Sequence, residues 1–429
     1  MTEWRNWAGD QACSPVVFHS AGTREELTDI VGTAAVDGRT VRVRGSGHSF
    51  SEAVLTDGVL VDIDRMDRVL DVDTESGLVR VEAGITLREL NLRLDEQGLA
   101  LPNLGDIDRQ TIAGAIATGT HGTGARLPNI SAQVQAVELV TPEGTTVEID
   151  EGDDLLAARV NLGALGAIAT VTLQAVPAFV LHRTDEVLPI DDVLGTFDQQ
   201  ADGNDHFEFF VFPYATTALT IRRNHTNAPP QPRGRLHEVI NQDLVGNRLA
   251  DLLLRLVRAR PSLIPRFTSI ASRFMDEGDY VDKSFRVFSS PREIRFTEME
   301  YAVPRADGPA AVRAILDLIK RERLEVPMPI ECRVVAGDEA MLSPAHGRDT
   351  VYVAVHQYRG MPHQPYFAAA EEILQGFGGR PHWGKRHEHF SAEQAAEAYP
   401  RFTDFQAVRD RLDPDRVFSN DWSRRVLGD

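Results

Sequence analysis

VRVRGSGHSF, residues 41–50, passes from an alternating strand pattern straight into Gly45, Ser46, Gly47, His48 and Ser49. Small residues in such a turn leave backbone N–H groups uncovered, and the resulting concave nest suits a pyrophosphate. Gly45 and Gly47 serve a plain tight turn equally well. The dinucleotide fingerprint G-x-G-x-x-G fails here, because its third glycine position is Phe50, so a nicotinamide Rossmann domain is disfavoured. Residues 105–128, GDIDRQTIAGAIATGTHGTGARLP, interleave Gly105, Gly114, Gly119, Gly122 and Gly124 with Thr111, Thr118, Thr120 and Thr123. So many glycines are entropically costly in a plain helix or strand, whereas a backbone lying close to a large polar cofactor explains them. In NLGALGAIATVTLQA, residues 161–175, Gly163 and Gly166 again precede a strand.

Around these segments, residues 16–176 alternate strand-like runs with helical or glycine-rich links, which argues for an α+β or α/β domain. Helices are predicted from Thr23 to Asp37 and from Thr86 to Gly98, where Thr86 and Glu89 have capping-box spacing and Gly98 is a stop. After Pro177 the composition changes. Pro229 to Gly234 is read as an exposed loop, and Val239 to Phe274 and AVRAILDLIKRER (311–323) as helical. FEFFVFPY, ALTIRR, FTEMEYAVP, IECRVVAG and TVYVAVHQY are strand-like and predict a second sheet with helices on one face. The expected units are 12–178, 179–378 as a cap, and 379–429 as a segment completing the active site. No internal repeat is apparent.

Lys plus Arg total 45 against 64 Asp plus Glu, a formal charge of -19 that repels nucleic acid and anionic membranes. Cys13 and Cys332 are too few for a disulfide framework, and a reducing cytoplasm is expected. The N-terminal residues lack a basic stretch followed by a long apolar run, and no segment reaches the roughly 18 apolar residues of a membrane helix. Secretion is therefore not expected, and any membrane contact is peripheral.

The order RGSGHS, LGDIDRQTIAGAIATGTHGTG, LGALGAIATVTL resembles the FAD domain of vanillyl-alcohol-oxidase type flavoproteins. IECRVVAGDEAMLSPAHGRDTVYVAVHQY and HWGKRH narrow the resemblance to the aldonolactone oxidases (L-gulono-1,4-lactone and D-arabinono-1,4-lactone oxidases), with the alditol oxidases close by. It covers nearly the whole chain. The fold implied is a two-subdomain FAD-binding domain and an α/β cap, α+β overall, with the C-terminus returning to the flavin. His48 matches the histidine that carries the flavin 8α-methyl carbon in covalent members; the alternative is packing on the flavin. The cofactor-binding set implied is Arg44, Gly45, Ser46, Gly47, His48, Ser49, Gly105, Asp106, Thr111, Gly114, Thr118, Gly119, His121, Gly122 and Ile168. His121 either bonds the cofactor or satisfies its own loop.

On the substrate side, Glu331 and Arg333 are two apart on a strand and share a face, with Cys332 turned away. Spacing alone suits a surface salt bridge. The resemblance implies instead a Glu-x-Arg element over the flavin that contacts substrate. His356 alternates with Tyr352, Ala354 and Tyr358, facing either the same pocket or the core. Lys385 matches a lysine that relatives bring to the flavin, where a cation meets charge developing on reduction; alone, it reads as a solvated loop lysine. Together Glu331, Arg333, Lys385 and His356 are the expected catalytic group. His382, His387 and His389 invite a metal reading, discounted because no carboxylate or cysteine pattern accompanies them.

The activity implied is oxidation of a lactone C2 hydroxyl by hydride transfer to FAD, with a polyol as the alternative substrate. Gly105 matches a position where glycine leaves room for O2, favouring an oxidase over a dehydrogenase that feeds a quinone or cytochrome. Asp106 stands where serine is common. A non-catalytic flavin binder and an NADPH-fed reductase are the rival readings.

Overall fold

The computed structural model describes residues 3–231, 249–272, 278–289 and 294–429. Strands Val17–Ser20, Val59–Asp62 and Val41–Arg44 form a parallel sheet in that spatial order. Helix Arg24–Val36 makes the crossover between the outer two, starting where the Thr23 hydroxyl accepts from the Glu26 N–H and burying Leu27, Val31 and Ala34. A five-stranded antiparallel sheet follows, ordered Thr146–Ile149, Val134–Val140, Ala167–Gln174, Leu78–Glu82, Val69–Asp73. Helix Leu87–Glu96 has half of its expected capping box: Thr86 accepts from Glu89 N–H at 3.2 Å, while the Glu89 carboxylate turns to Arg93 at 2.8 Å. Its chain leaves through Gly98 at φ +71°, as the glycine stop requires.

The second large sheet has eight strands, all paired antiparallel. Their order is Asp279–Lys283, Val180–Pro189, Thr217–His225, His206–Val211, Ile330–Val335, Thr350–Tyr358, Phe296–Pro304, Arg380–Pro381. Strand alternation sorts its residues into two faces. Phe207, Phe209, Cys332, Val334, Val353, Val355, Met299 and Tyr301 form one core, covered by helices Gly308–Glu322 and Gln364–Gly376. The opposite face carries Glu208, Glu331, Arg333, His356, Glu298 and Glu300, all buried. Each buried apolar side chain favours folding by about 1.5–3 kcal/mol, whereas each buried ion costs several kcal/mol unless paired. A face so unlike its reverse is the signature of a site kept for function.

The predicted helical stretch 239–274 yields helices Ala250–Ala259 and Ile264–Ala271, separated at Pro261; residues 239–248 and 273–274 lie outside the described residues. Of the predicted loop, 229–231 is irregular and 232–234 is outside them. The last fifty residues return to the first sheets. Phe390, Tyr399, Phe405 and Trp422 share a core with Leu27, Val61 and Ile116, and Val41 N–H donates to Val417 at 2.7 Å.

Candidate active site

The RGSGHS loop lies at the carboxyl end of strand Val41–Arg44 and lines a solvent-open hollow with Thr111, Gly114, Thr118 and Ile168. Thr111 caps helix Ile112–Ala117, its hydroxyl accepting from Gly114 N–H at 3.2 Å. A Cβ on Gly45 would stand 2.1 Å from that hydroxyl oxygen, and Gly47 has φ +69°, so both glycines are required. Arg44 points away from the cavity: it pairs with Asp62 and donates to Gly45 carbonyl at 3.0 Å, bracing the turn. Gly119 and Gly122 do not line it either. Gly119, at φ +72°, turns the chain out of the helix, and Gly122 packs against Asn103 and Leu104.

Arg42, which sequence reasoning passed over, lines the cradle and donates to the carbonyls of Leu162 (2.9 Å), Gly163 (3.0 Å) and Phe418 (2.6 Å). Burial first, then Arg409, lower its pKa to about 10. Its signal was two residues before Arg44: a second basic residue on one face of an apolar strand. Three buried polar atoms around the cradle, Arg42 Nε, His48 Nδ1 and Ser51 Oγ, lack a hydrogen-bond partner among the described residues. Unfilled donors and acceptors beside a glycine-lined hollow fit a polar cofactor. His48 stacks on Trp7 with ring centroids 5.4 Å apart, and burial, then Arg109 and Lys385, hold its pKa at about 4, so its imidazole is neutral.

His48 and Ser49 also line a second cavity, with Gly105, Asp106, Thr118, His121, Glu298, Glu300, Glu331, Arg333, His356, His382 and Lys385. The residues expected to act together thus meet on one wall. Arg333 is its centre: Nη2 lies 2.8 Å from Asp106 Oδ2 and also pairs with Glu331, and Nε donates to Glu208 Oε2 at 2.9 Å. Glu208 in turn pairs with Arg223 at 2.7 Å. The Glu331–Arg333 pair is therefore neither a surface bridge nor isolated. His356 Nδ1 donates to the Pro329 carbonyl at 2.8 Å, which aims Nε2 at Glu298 (3.5 Å) and Glu331 (4.0 Å). Lys385 Nζ lies 2.5 Å from Glu298 Oε2 and 5.5 Å from the Phe50 ring centroid.

Burial opposes charge on Arg333, His356, Glu298 and Glu300, and the pairing outweighs it. Arg333 is held well above the ordinary guanidinium value by Asp106, Glu331 and Glu208. Glu298 and Glu331 raise the His356 pKa. Lys385 and His356 bring Glu298 down to about 2, and His121 lowers Glu300 well below the carboxylate range. Glu208, Glu298 and Glu300 were not singled out in the sequence, although FEFF and FTEMEY set carboxylates at period two against Phe, Met and Tyr.

His121 does what its loop asks: Nδ1 donates to Gly122 carbonyl at 2.8 Å and Nε2 faces Glu300 at 3.4 Å, with its ring stacked on Tyr352. His382 Nδ1 accepts from Gly384 N–H at 3.0 Å, and burial drops its pKa to about 3. His387 turns away to Trp422 Nε1 at 3.3 Å. His382 instead brings a ligating atom within 4.8 Å of those of His121 and Glu300, where Lys385 raises the cost of a second cation.

Residues 171–426 match the D-arabinono-1,4-lactone oxidase family and residues 15–150 an FAD binding domain. The chain belongs to the D-arabinono-1,4-lactone oxidase family. It is an FAD-dependent oxidoreductase. Similar relatives include L-gulono-1,4-lactone dehydrogenase of Mycobacterium tuberculosis, 48% identical over 99% of both chains. L-gulonolactone oxidase of Bos taurus is 33% identical over 99% of this chain and 98% of its own. Alditol oxidase of a Streptomyces species is 33% identical over 98% of each. Cholesterol oxidase of B. sterolicum superposes with a TM-score of 0.82 over 99% of this chain and 96% of its own, at 17% identity, which speaks to the fold alone.

Proposed function

We propose that this family member oxidises the C2 hydroxyl of an aldono-1,4-lactone, of the L-gulono or D-arabinono type, and carries its FAD covalently on His48. The observation that carries the reading is the single wall of Glu331, Arg333, His356 and Lys385 facing a cavity that His48 also lines. Bound FAD supplies a hydride acceptor at the flavin N5. Glu331 accepts a hydrogen bond from the substrate hydroxyl and receives its proton, while the Arg333 fork fixes Glu331 and orients neighbouring oxygens. His356, pinned at Nδ1, offers its Nε2 proton to Glu298 and Glu331. Lys385 sets a cation at the cavity wall for the negative charge that accompanies oxidation. The neutral His48 imidazole with an uncommitted Nδ1 supports the tether, because bond formation needs a ring lone pair.

The proposed units are 12–178, 179–378 and 379–429, and two unpaired cysteines support a cytoplasmic location. No helix among the described residues is long and apolar enough to cross a membrane. Gly105 on the cavity wall supports O2 as acceptor, giving H2O2; the relative named a dehydrogenase supports an acceptor other than O2, for which a quinone or cytochrome is the alternative. Turnover of L-gulono-1,4-lactone, D-arabinono-1,4-lactone and xylitol, each with O2 or with cytochrome c, tests both points. Turnover of xylitol alone would overturn the lactone reading, and lactone turnover only with cytochrome c would make the enzyme a dehydrogenase.

A further inference from the structure

A 1,4-lactone opens in water to its aldonate, which keeps the C2 hydroxyl and carries a carboxylate on the adjacent carbon. A guanidinium fork beside a hydroxyl acceptor is what such a 2-hydroxy acid needs, because the fork holds a carboxylate through two parallel hydrogen bonds. Arg333 beside Glu331, with Lys385 on the same wall, offers that combination. The cavity therefore has to tell a neutral lactone from its open anion.

The cations of the wall are already neutralised by the protein. Among the described residues that line the cavity, Asp106, Glu298, Glu300 and Glu331 stand against two permanent cations, Arg333 and Lys385. Burial keeps His48 and His382 neutral, with pKa values of about 4 and about 3. Even with His121 and His356 both protonated, four carboxylates leave these residues no surplus of positive charge. Glu298 holds Lys385 at 2.5 Å.

Arg333 has more carboxylates than its single charge requires. Glu208 takes Nε at 2.9 Å and is not among the residues lining the cavity, while Glu331 shares the strand and pairs with Nη2. Asp106 is the third. It comes from a distant loop, lines the cavity, and reaches Nη2 at 2.8 Å. The loop is set by Asn103, whose side chain accepts from the Leu104 N–H at 3.0 Å and donates to the Thr123 carbonyl at 3.2 Å. A partly buried third carboxylate on one guanidinium is electrostatically costly, so its place at the cavity wall points to a use there.

We propose that Asp106 is a specificity-determining residue: it occupies the Arg333 fork with the protein's own carboxylate, so that the neutral lactone is admitted and the aldonate anion is refused. The name of the substrate rests on the lactone reading above; the refusal of anions rests on the charge count. An aldonate would bring a fifth carboxylate to a wall that holds four, and like charges at short range in a buried site repel strongly. A lactone presents only neutral oxygens, which accept hydrogen bonds from paired cations without displacing their partners.

The test titrates FAD-loaded wild type, Asp106→Asn, Asp106→Ser and Asp106→Glu with sodium L-gulonate and with L-gulono-1,4-lactone, anaerobically and at fixed ionic strength. Gulonate binding is read from the flavin difference spectrum and from competition with the lactone. Wild type and Asp106→Glu should bind gulonate at least about tenfold more weakly than Asp106→Asn and Asp106→Ser do. Wild type that binds gulonate as tightly as the lactone overturns the proposal, whatever the variants do. So does an unchanged gulonate Kd in either neutral variant that retains its flavin. A wild type whose flavin no lactone bleaches contradicts the lactone reading instead, and the gulonate comparison still decides whether Asp106 excludes anions.

Discussion

Replacing Arg333 with methionine removes one buried cation from among three carboxylates, Asp106 at 2.8 Å, Glu208 at 2.9 Å and Glu331. Glu208 keeps Arg223 at 2.7 Å, so the loss falls on Asp106 and Glu331. The cheapest relief is uptake of a proton. Neutralising a carboxyl of ordinary pKa, near 4, costs about 4 kcal/mol at pH 7, three units at about 1.4 kcal/mol each. That agrees with the roughly 3–5 kcal/mol measured for breaking buried pairs. The pH dependence then changes as well. The folded variant binds about one proton more than its unfolded chain, so its stability falls by about 1.4 kcal/mol per unit as pH rises from 5 to 8. Urea denaturation of FAD-loaded wild type and Arg333→Met across that range reads both quantities. A loss under about 1 kcal/mol at pH 7, or a wild-type pH slope in the variant, would refute the claim that Arg333 neutralises this cluster.

In Lys385→Met, removing the cation at the cavity wall should slow reduction by substrate about 10²–10³-fold in anaerobic stopped flow. Gly45→Ala drives a Cβ into Thr111 Oγ1 and its helix cap; flavin content per protein should fall, and thermal denaturation should show a loss of about 1–2 kcal/mol. His356 has a raised pKa, so its stabilisation is present below the unfolded value and lost as pH rises through the folded one. The stability gap between wild type and His356→Gln should accordingly shrink from pH 6 to pH 9 in urea titrations. In His48→Ala, acid precipitation should release all yellow colour, while the wild-type precipitate stays yellow.

Much of this was legible in the chain because it is local. RGSGHS follows a strand directly, and Gly45 and Gly47 are demanded by Thr111 and by a positive φ. The period-two pattern of IECRVV put Glu331 and Arg333 on one face and Cys332 on the other, as observed, whereas TVYVAVHQY left His356 open between pocket and core, and in the structure it lines the cavity. What stayed hidden depends on which strands become neighbours. Glu208 meets Arg333, and Glu298 meets His356, only through the pairing of strands 206–211 with 330–335 and 296–304 with 350–358. No spacing within one segment encodes those registers. Arg42 likewise acts on Phe418, a partner 376 residues away. Glu89 shows the converse, a local motif half overridden because Arg93, one turn on, offered a charged partner.

The most direct test of lactone oxidation at this wall is anaerobic titration of the FAD-loaded protein with L-gulono-1,4-lactone and D-arabinono-1,4-lactone while the oxidised-flavin absorption is followed. Stoichiometric bleaching by a lactone, slowed in Arg333→Met and in Lys385→Met, is the expected result. Absorption that no lactone changes but NADPH bleaches would contradict it.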